Sequence, residues 1–362
     1  MQSGQKRTNR TLINSDTWKS KRLKYILSIS FCFTIGRSLG WLKRNISPHS
    51  PIILAYHSVC PVPCNFFKGL DNVTPDLFEK QIIFFKNNYN VCSLEELLSC
   101  IREKNMKKNL LSVTFDDGFK NVIEYAYPIL MKWKVPAAIF LISDLMNNEK
   151  LYWRNKLAYI FNSGLKSKFF GFLPKNHPCK SSNSFINCKL RHRDILIAID
   201  KVFEQENINE REIAQENRFY IEPDDIKEIN SSLISFGCHT RTHPVLSELS
   251  RDEQRDEILG SYEKISGILD DACLPFAYPF GTKSDFNEDS KQLAIEAGST
   301  SILKCSGMPR QNSILSSPFD LDRIAPSVIP PYMLTSFLEG TTISGIRRSI
   351  KTLLDYFECK LY

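Results

Sequence analysis

Two adjacent carboxylates, Asp116 and Asp117, follow a short strand-like run, Leu110 to Phe115, and precede Gly118. Neighbouring side chains on an extended chain point to opposite faces. Two acids at a strand end can therefore take different jobs: one holds a metal ion, the other takes a proton. A solvated Asp-Asp-Gly turn accounts for the same residues, because Asp-Gly is a common turn pair. His239 and His243 stand four apart, just after another strand-like run, Leu233 to Cys238. On a helical turn residues i and i+4 share a face, so both imidazoles would reach one ion. Two unrelated surface histidines are the alternative. With Asp117 the pair becomes a two-histidine, one-carboxylate set, which leaves one position of a tetrahedral zinc open to water. Such an ion acidifies its water and polarises a carbonyl oxygen. Asp116 is then placed to take the proton of that water as it attacks.

These residues need elements to hold them. Pro51 to Ser58 reads as a strand ending at His57. Thr74 caps a helix with Pro75 in its first turn and Phe78, Ile82, Ile83 and Phe85 as its apolar stripe. Ser93 opens another, with Glu96 three residues on. Residues 122–133 read as helix and 135–142 as a buried strand. Strand-like runs recur at 233–238, 274–281, 300–304 and 321–324, separated by helical runs at 249–269 and 290–297. Strands alternating with helices indicate a parallel α/β architecture. Residues 145–220 interrupt the alternation. They hold an aromatic patch (Tyr152, Trp153, Tyr159, Phe161), a Gly/Pro/Asn/Ser/Cys-rich middle and a charged helical stretch through Arg211. Such an insertion forms a lid or lobe that carries specificity, or a packing ornament.

The chain has 362 residues and a formal charge of +7, from 47 basic and 40 acidic side chains. Lys6, Arg7, Arg10, Lys19, Lys21, Arg22 and Lys24 supply much of the excess in the first stretch, against Asp16 alone. The body is near neutral, which gives no argument for nucleic acid as a partner. Residues 1–22 are polar and read as disordered. The apolar run Tyr25 to Gly36 is too short for a spanning helix of about 20 residues. Basic residues on both sides and Trp41 suit a helix over 23–44 in a membrane interface. A helix packed on the domain and an uncleaved anchor or signal segment fit the same residues. Eleven cysteines at irregular spacing suit a reducing compartment. Cys238 and Cys273 read as small buried hydrophobes.

Thr114-Phe-Asp-Asp-Gly118, His239-Thr-Arg-Thr-His243 and Phe276-Ala-Tyr-Pro-Phe-Gly281 together resemble, in order, the first three motifs of the polysaccharide deacetylases of the NodB-homology type, carbohydrate esterase family 4. The resemblance covers roughly residues 50 to 330. It implies a distorted (β/α)7-type barrel with its site at the C-terminal strand ends, where such barrels place chemistry. It implies Asp116 as catalytic base, and Asp117, His239 and His243 as ligands of one divalent metal ion, expected to be zinc. It implies an oxyanion donor in the backbone N–H of Phe280, with Tyr278 supporting the same turn. The chain departs from the family pattern twice. Ala277 stands where the third motif carries an arginine that braces the catalytic aspartate, and Arg323 is the substitute the sequence offers. No histidine follows His243 to act as the late catalytic acid. Ala55-Tyr-His-Ser58 resembles the early Tyr-His motif of the circularly permuted members, such as poly-N-acetylglucosamine deacetylases, which makes His57 the general acid.

The expected organisation is a basic arm with the interface segment over 1–48, a catalytic domain over 49–330 with the insertion 145–220, and a helical tail over 331–362. The expected activity is metal-dependent removal of acetyl groups from N-acetylated amino sugars of a polysaccharide or its precursor. Glycan O-acetyl ester hydrolysis, or a catalytically silent glycan-binding protein of the same fold, are the alternatives. The expected partner is the glycan, with peripheral membrane contact through 23–44. Cysteine usage favours the cytoplasmic side of a membrane.

Overall fold

Among the described residues eight parallel strands make one sheet; seven of them close into a ring, and the eighth, Asn90–Val91, pairs with Leu110–Leu111 beside it. The computed structural model describes residues 35–46, 50–105, 107–181, 192–229, 232–271, 273–307, 312–313 and 315–341. The barrel strands are β1 (Ile52–Tyr56), β2 (Leu110–Phe115), β3 (Ala137–Leu141), β4 (Ile234–Cys238), β5 (Phe276–Ala277), β6 (Ile302–Lys304) and β7 (Leu321–Asp322). Their order in space follows the chain, and every pairing is parallel. The ring closes just beyond β7, where Ala55 N–H donates to Ile324 O and Ile324 N–H to Ile53 O, both at 3.0 Å. This is the distorted seven-stranded barrel that the resemblance implied. Every residue of β1, β2 and β3 is buried, as strands covered on both faces must be, and this is why they read as unbroken apolar runs.

The helices follow in chain order. They are α1 (35–46), α2 (Pro75–Asn88), α3 (Leu94–Arg102), α4 (Tyr127–Trp133), α5 (Trp153–Asn162), α6 (Lys166–Phe172), α7 (His192–Gln205), α8 (Glu210–Asn217), α9 (Pro223–Glu228), α10 (Arg251–Leu269), α11 (Glu288–Glu296) and α12 (Pro331–Leu338). The expected caps form. Thr74 accepts from Leu77 N–H ahead of Pro75, and Ser93 accepts from Glu96 N–H. Each satisfies an amide that the first helical turn leaves unpaired.

Helices α5 to α8 lie within the insertion, which is a helical lobe. Aromatic contacts fasten it to the barrel: Phe66 stacks on Tyr159 at 4.6 Å between ring centroids, and Phe67 packs on Phe119 and Phe219. Cys179 in the lobe is disulfide-bonded, a departure from the reading of the cysteines as thiols. Cys238 is buried as expected, but Cys273 is exposed, because it sits in the loop ahead of β5 rather than in the strand.

Part of the segment read as an interface helix is described, and α1 packs on the domain. Gly36, Gly40 and Arg44 form its buried face. A Cβ on Gly36 would lie 2.9 Å from Ser336 Oγ, and one on Gly40 would lie 3.0 Å from Thr335 Cγ2, so the glycines permit close approach to α12. Ile35, Leu39, Trp41, Leu42 and Ile46 face outward. Among the described residues no helix is long and apolar enough to cross a membrane. In the segment expected as a tail, Met333, Leu334 and Leu338 are buried in the core. Residues 1–34 and 342–362, with the rest of the arm and tail, lie outside the described residues.

Candidate active site

The chain turns sharply at the end of β2. Asp117 and Gly118 both take left-handed conformations, at φ +70° and +66°. For a residue with a side chain this is uncommon, and such strain persists where surrounding structure enforces it. Gly118 has no alternative, since a Cβ there would lie 2.8 Å from Leu141 Cδ2. His239 follows β4 directly. The expected helical turn between the two histidines is absent. Thr240 and His243 are left-handed at φ +64° and +62°, and His243 N–H donates to Thr240 Oγ1 at 3.0 Å. A tight loop thus brings both rings to one place.

Asp117 Oδ1 lies 3.5 Å from His239 Nε2 and 3.6 Å from His243 Nε2. All three side chains are buried, and their nearest ligand atoms lie within 4.8 Å of one another. Asp117 Oδ1 has no hydrogen-bond partner. A buried carboxylate oxygen left so is costly unless a cation faces it. Tetrahedral zinc, with ligands at about 2.0–2.2 Å, spaces them by about 3.3–3.6 Å, which both distances match. The other ring nitrogens are engaged away from this point. His239 Nδ1–H donates to Ala277 O at 2.8 Å, and His243 Nδ1 is hydrogen-bonded to the Tyr152 hydroxyl at 2.9 Å. The carbonyl bond fixes the His239 tautomer that turns an Nε2 lone pair inward, and the hydroxyl bond holds the His243 ring in place. Burial, then the neighbouring His239, hold the His243 imidazole well below its ordinary range, so it is neutral as a ligand must be. The residues fit a divalent ion.

Asp116 faces a different partner. Arg323, fully buried just past β7, donates to Asp116 Oδ1 from Nη1 at 2.6 Å and to Oδ2 from Nη2 at 2.8 Å. Burial alone would raise the carboxyl, but the Arg323 charge, then His239, overcome it and hold Asp116 below its usual range. The bracing arginine that the third motif lacks is therefore supplied from just past β7, late in the chain.

His57 ends β1 with 26% of its side chain exposed. Its Nδ1 bonds Asp71 Oδ2 at 2.9 Å, and Asp71 also accepts from Ser327 Oγ at 2.8 Å. Burial pulls the imidazole down, but the Asp71 hydrogen bond and the charges of Asp117, Asp71 and Asp116 raise it to about 9. His57 thus feels both carboxylates of the β2 turn and keeps its proton at neutral pH.

In the turn after β5, Phe280 is left-handed at φ +60°, with its ring 4.8 Å from that of His243. Tyr278 is not brought to the site. It stacks on Phe286 at 3.9 Å in the layer between barrel and helices, and supports the turn from behind.

Two contributors escaped the sequence reading. Asp71 is an acid in a loop with no periodic pattern around it. Tyr152 belonged to the noted aromatic patch, yet nothing local tied it to His243. Trp153 joins it there, donating from Nε1 to His243 O at 3.1 Å.

The sequence profile of the polysaccharide deacetylases matches residues 103–302, more than half of the chain. The chain belongs to the polysaccharide deacetylase family. Poly-β-1,6-N-acetyl-D-glucosamine N-deacetylase of Staphylococcus aureus is 32% identical over 100 residues, covering 26% of this chain and 34% of that protein. The match thus spans about a third of the length of this curated relative. Two solved structures share the fold. The Streptococcus pyogenes deacetylase PplD in complex with acetate aligns at a TM-score of 0.52 and 21% identity, over 82% of this chain and 100% of that one. IcaB from Ammonifex degensii aligns at 0.53 and 15%, over 81% and 98%. The family's profile includes the β2 turn and both histidines, whereas His57, Asp71 and Arg323 lie outside it.

Proposed function

We propose that the chain hydrolyses the acetamide of an N-acetylated amino sugar in a glycan, using one divalent ion, zinc, held by Asp117, His239 and His243. The observation that carries this is the orphaned Asp117 Oδ1 facing two Nε2 atoms beside the ionised Asp116. The ion, when bound, supplies Lewis acidity toward a water and the acetyl carbonyl. Asp116, fixed by Arg323, takes the proton of the water as its oxygen bonds the carbonyl carbon. The Phe280 N–H receives the negative oxygen that develops there. His57, facing the site from the β1 end, gives its proton to the sugar nitrogen as the C–N bond breaks. The products are acetate and an amino sugar.

A protonated His57 supports amide over ester cleavage, because an amine needs that proton to leave and an alkoxide needs it less. The Staphylococcus aureus relative is named for a polymer of N-acetyl-D-glucosamine, which supports an N-acetylhexosamine substrate. The outward apolar side of α1, Ile35, Leu39, Trp41 and Leu42, supports a peripheral membrane contact. The test is acetate release from N-acetylglucosamine oligomers by metal-loaded protein. Release should stop with a chelator and return with zinc. Chelator-resistant release, or none from a folded, zinc-loaded chain, refutes the reading.

A further inference from the structure

Arg154 sits beside the metal ligands and has no carboxylate partner among the described residues. It is the second residue of α5, where the inserted lobe meets the catalytic rim. Its guanidinium lies 5.6 Å from the centre of the Phe280 ring, the residue whose amide is assigned to the oxyanion. It hydrogen-bonds the Tyr152 hydroxyl, and its charge acts on His243 and Asp71. It is half-buried.

The other charges around it are already engaged. Arg323 is committed to Asp116 through two hydrogen bonds, and His57 to Asp71. Asp117 faces the two imidazoles and belongs to the ion. The side chains therefore already balance, Asp71, Asp116 and Asp117 against His57, Arg323 and Arg154, and a divalent ion would make the loaded cavity net positive. A neutral sugar offers nothing to offset that charge. A guanidinium lying over an aromatic ring and giving one hydrogen bond to a hydroxyl still has further N–H donors, and these match a phosphate or carboxylate.

We propose that Arg154 is a specificity-determining residue that binds an anionic group, phosphate or carboxylate, carried by the glycan beside the N-acetylated sugar. This rests on the deacetylase reading for the position of the sugar, but not for the existence of the anion site.

The probes are tetra-N-acetylchitotetraose, its C6-phosphorylated form and its C6-oxidised form, tested on zinc-loaded wild type, Arg154→Gln and Arg154→Lys. Charge-assisted hydrogen bonds contribute about 1.5–3 kcal/mol, or about 10- to 150-fold. Wild type should favour at least one charged oligomer by about that factor, through KM in acetate release and through Kd in calorimetry. Arg154→Gln should lose the preference, read as the ratio of charged to neutral oligomer, and Arg154→Lys should keep part of it. The phosphorylated and oxidised forms separate phosphate from carboxylate. Equal handling of charged and neutral oligomers by wild type overturns the proposal, as does a preference that survives in Arg154→Gln. An equal loss on all three oligomers also overturns it, because Arg154 would then act on the acetyl group or on folding. If no oligomer releases acetate, the deacetylase reading fails, and the calorimetric ratio alone still decides the anion site.

Discussion

Arg323 grips Asp116 through both terminal nitrogens, across 207 positions of sequence and the closure of the barrel. The same guanidinium donates to Thr114 Oγ1 at 3.2 Å and lies 5.3 Å from the Phe140 ring centre. Both side chains are buried. Taking away one partner of a buried pair leaves the other charge uncompensated, at about 3–5 kcal/mol. Arg323→Ala should therefore lose that much stability in urea unfolding, and turnover with it. Arg323→Lys should keep the charge but lose the fork, and recover stability better than turnover. Arg323→Ala unfolding at the wild-type midpoint would show that the pair does not hold the barrel closed.

Metal affinity should depend on the lobe as well as on the barrel. His239→Ala removes a ligand and should leave the chain with little bound zinc. Tyr152→Phe removes the hydroxyl that is hydrogen-bonded to His243 Nδ1. Losing such a partner typically costs 10- to 100-fold in affinity, to be read by competition with a chromophoric chelator. An unchanged zinc affinity in Tyr152→Phe would mean that the loop, with Thr240 and Trp153, orients His243 unaided.

The barrel and the cluster of Asp117, His239 and His243 were legible because their causes are local. β1, β2 and β3 are short apolar runs ending in polar residues, and Asp117, His239 and His243 sit at such ends. The caps at Thr74 and Ser93 were legible for the same reason. What sequence could not supply was the loop geometry. Spacing of four suggested a helical turn for the histidines, and two left-handed residues perform the same task instead. Asp71, Tyr152 and Arg154 were opaque because each acts on a residue brought near only by tertiary packing. Arg323 was found by elimination, with no local pattern to mark it.

The seat of α1 rests on two residues without side chains. At Gly40 an added Cβ would meet Thr335 Cγ2 at 3.0 Å and Thr335 O at 3.1 Å. A backbone carbonyl cannot rotate away, so Gly40→Leu should force α1 off α12. Overpacking of this kind costs about 1–3 kcal/mol. The expected outcome is faster proteolysis between α1 and β1, with acetate release unchanged because the metal ligands lie on other elements. Wild-type resistance to protease in Gly40→Leu would mean that α1 is held by Arg44 and Lys43 instead.

The riskiest prediction concerns the His57–Asp71 pair and the pH profile. His57 is raised to about 9, and as a general acid it must carry its proton. The proton is held below that value and lost as pH rises through it, so kcat/KM should fall on the alkaline side. Asp116 is held below the usual carboxylate range, so the base stays ionised into mild acid and the optimum should be broad. A bound ion would offset the part of the His57 shift that comes from Asp117, but not the part from Asp71. Asp71→Asn removes that charge, and His57 should move down toward its ordinary value of about 6.5. The alkaline limb should then shift acidward, and the rate at pH 8 should drop while zinc content holds. His57→Ala should lose about 10²–10⁴-fold on the amide and less on an activated acetyl ester. An alkaline limb that stays put in Asp71→Asn would sever His57 from the proton transfer and leave the nitrogen's acid to be found elsewhere on the rim.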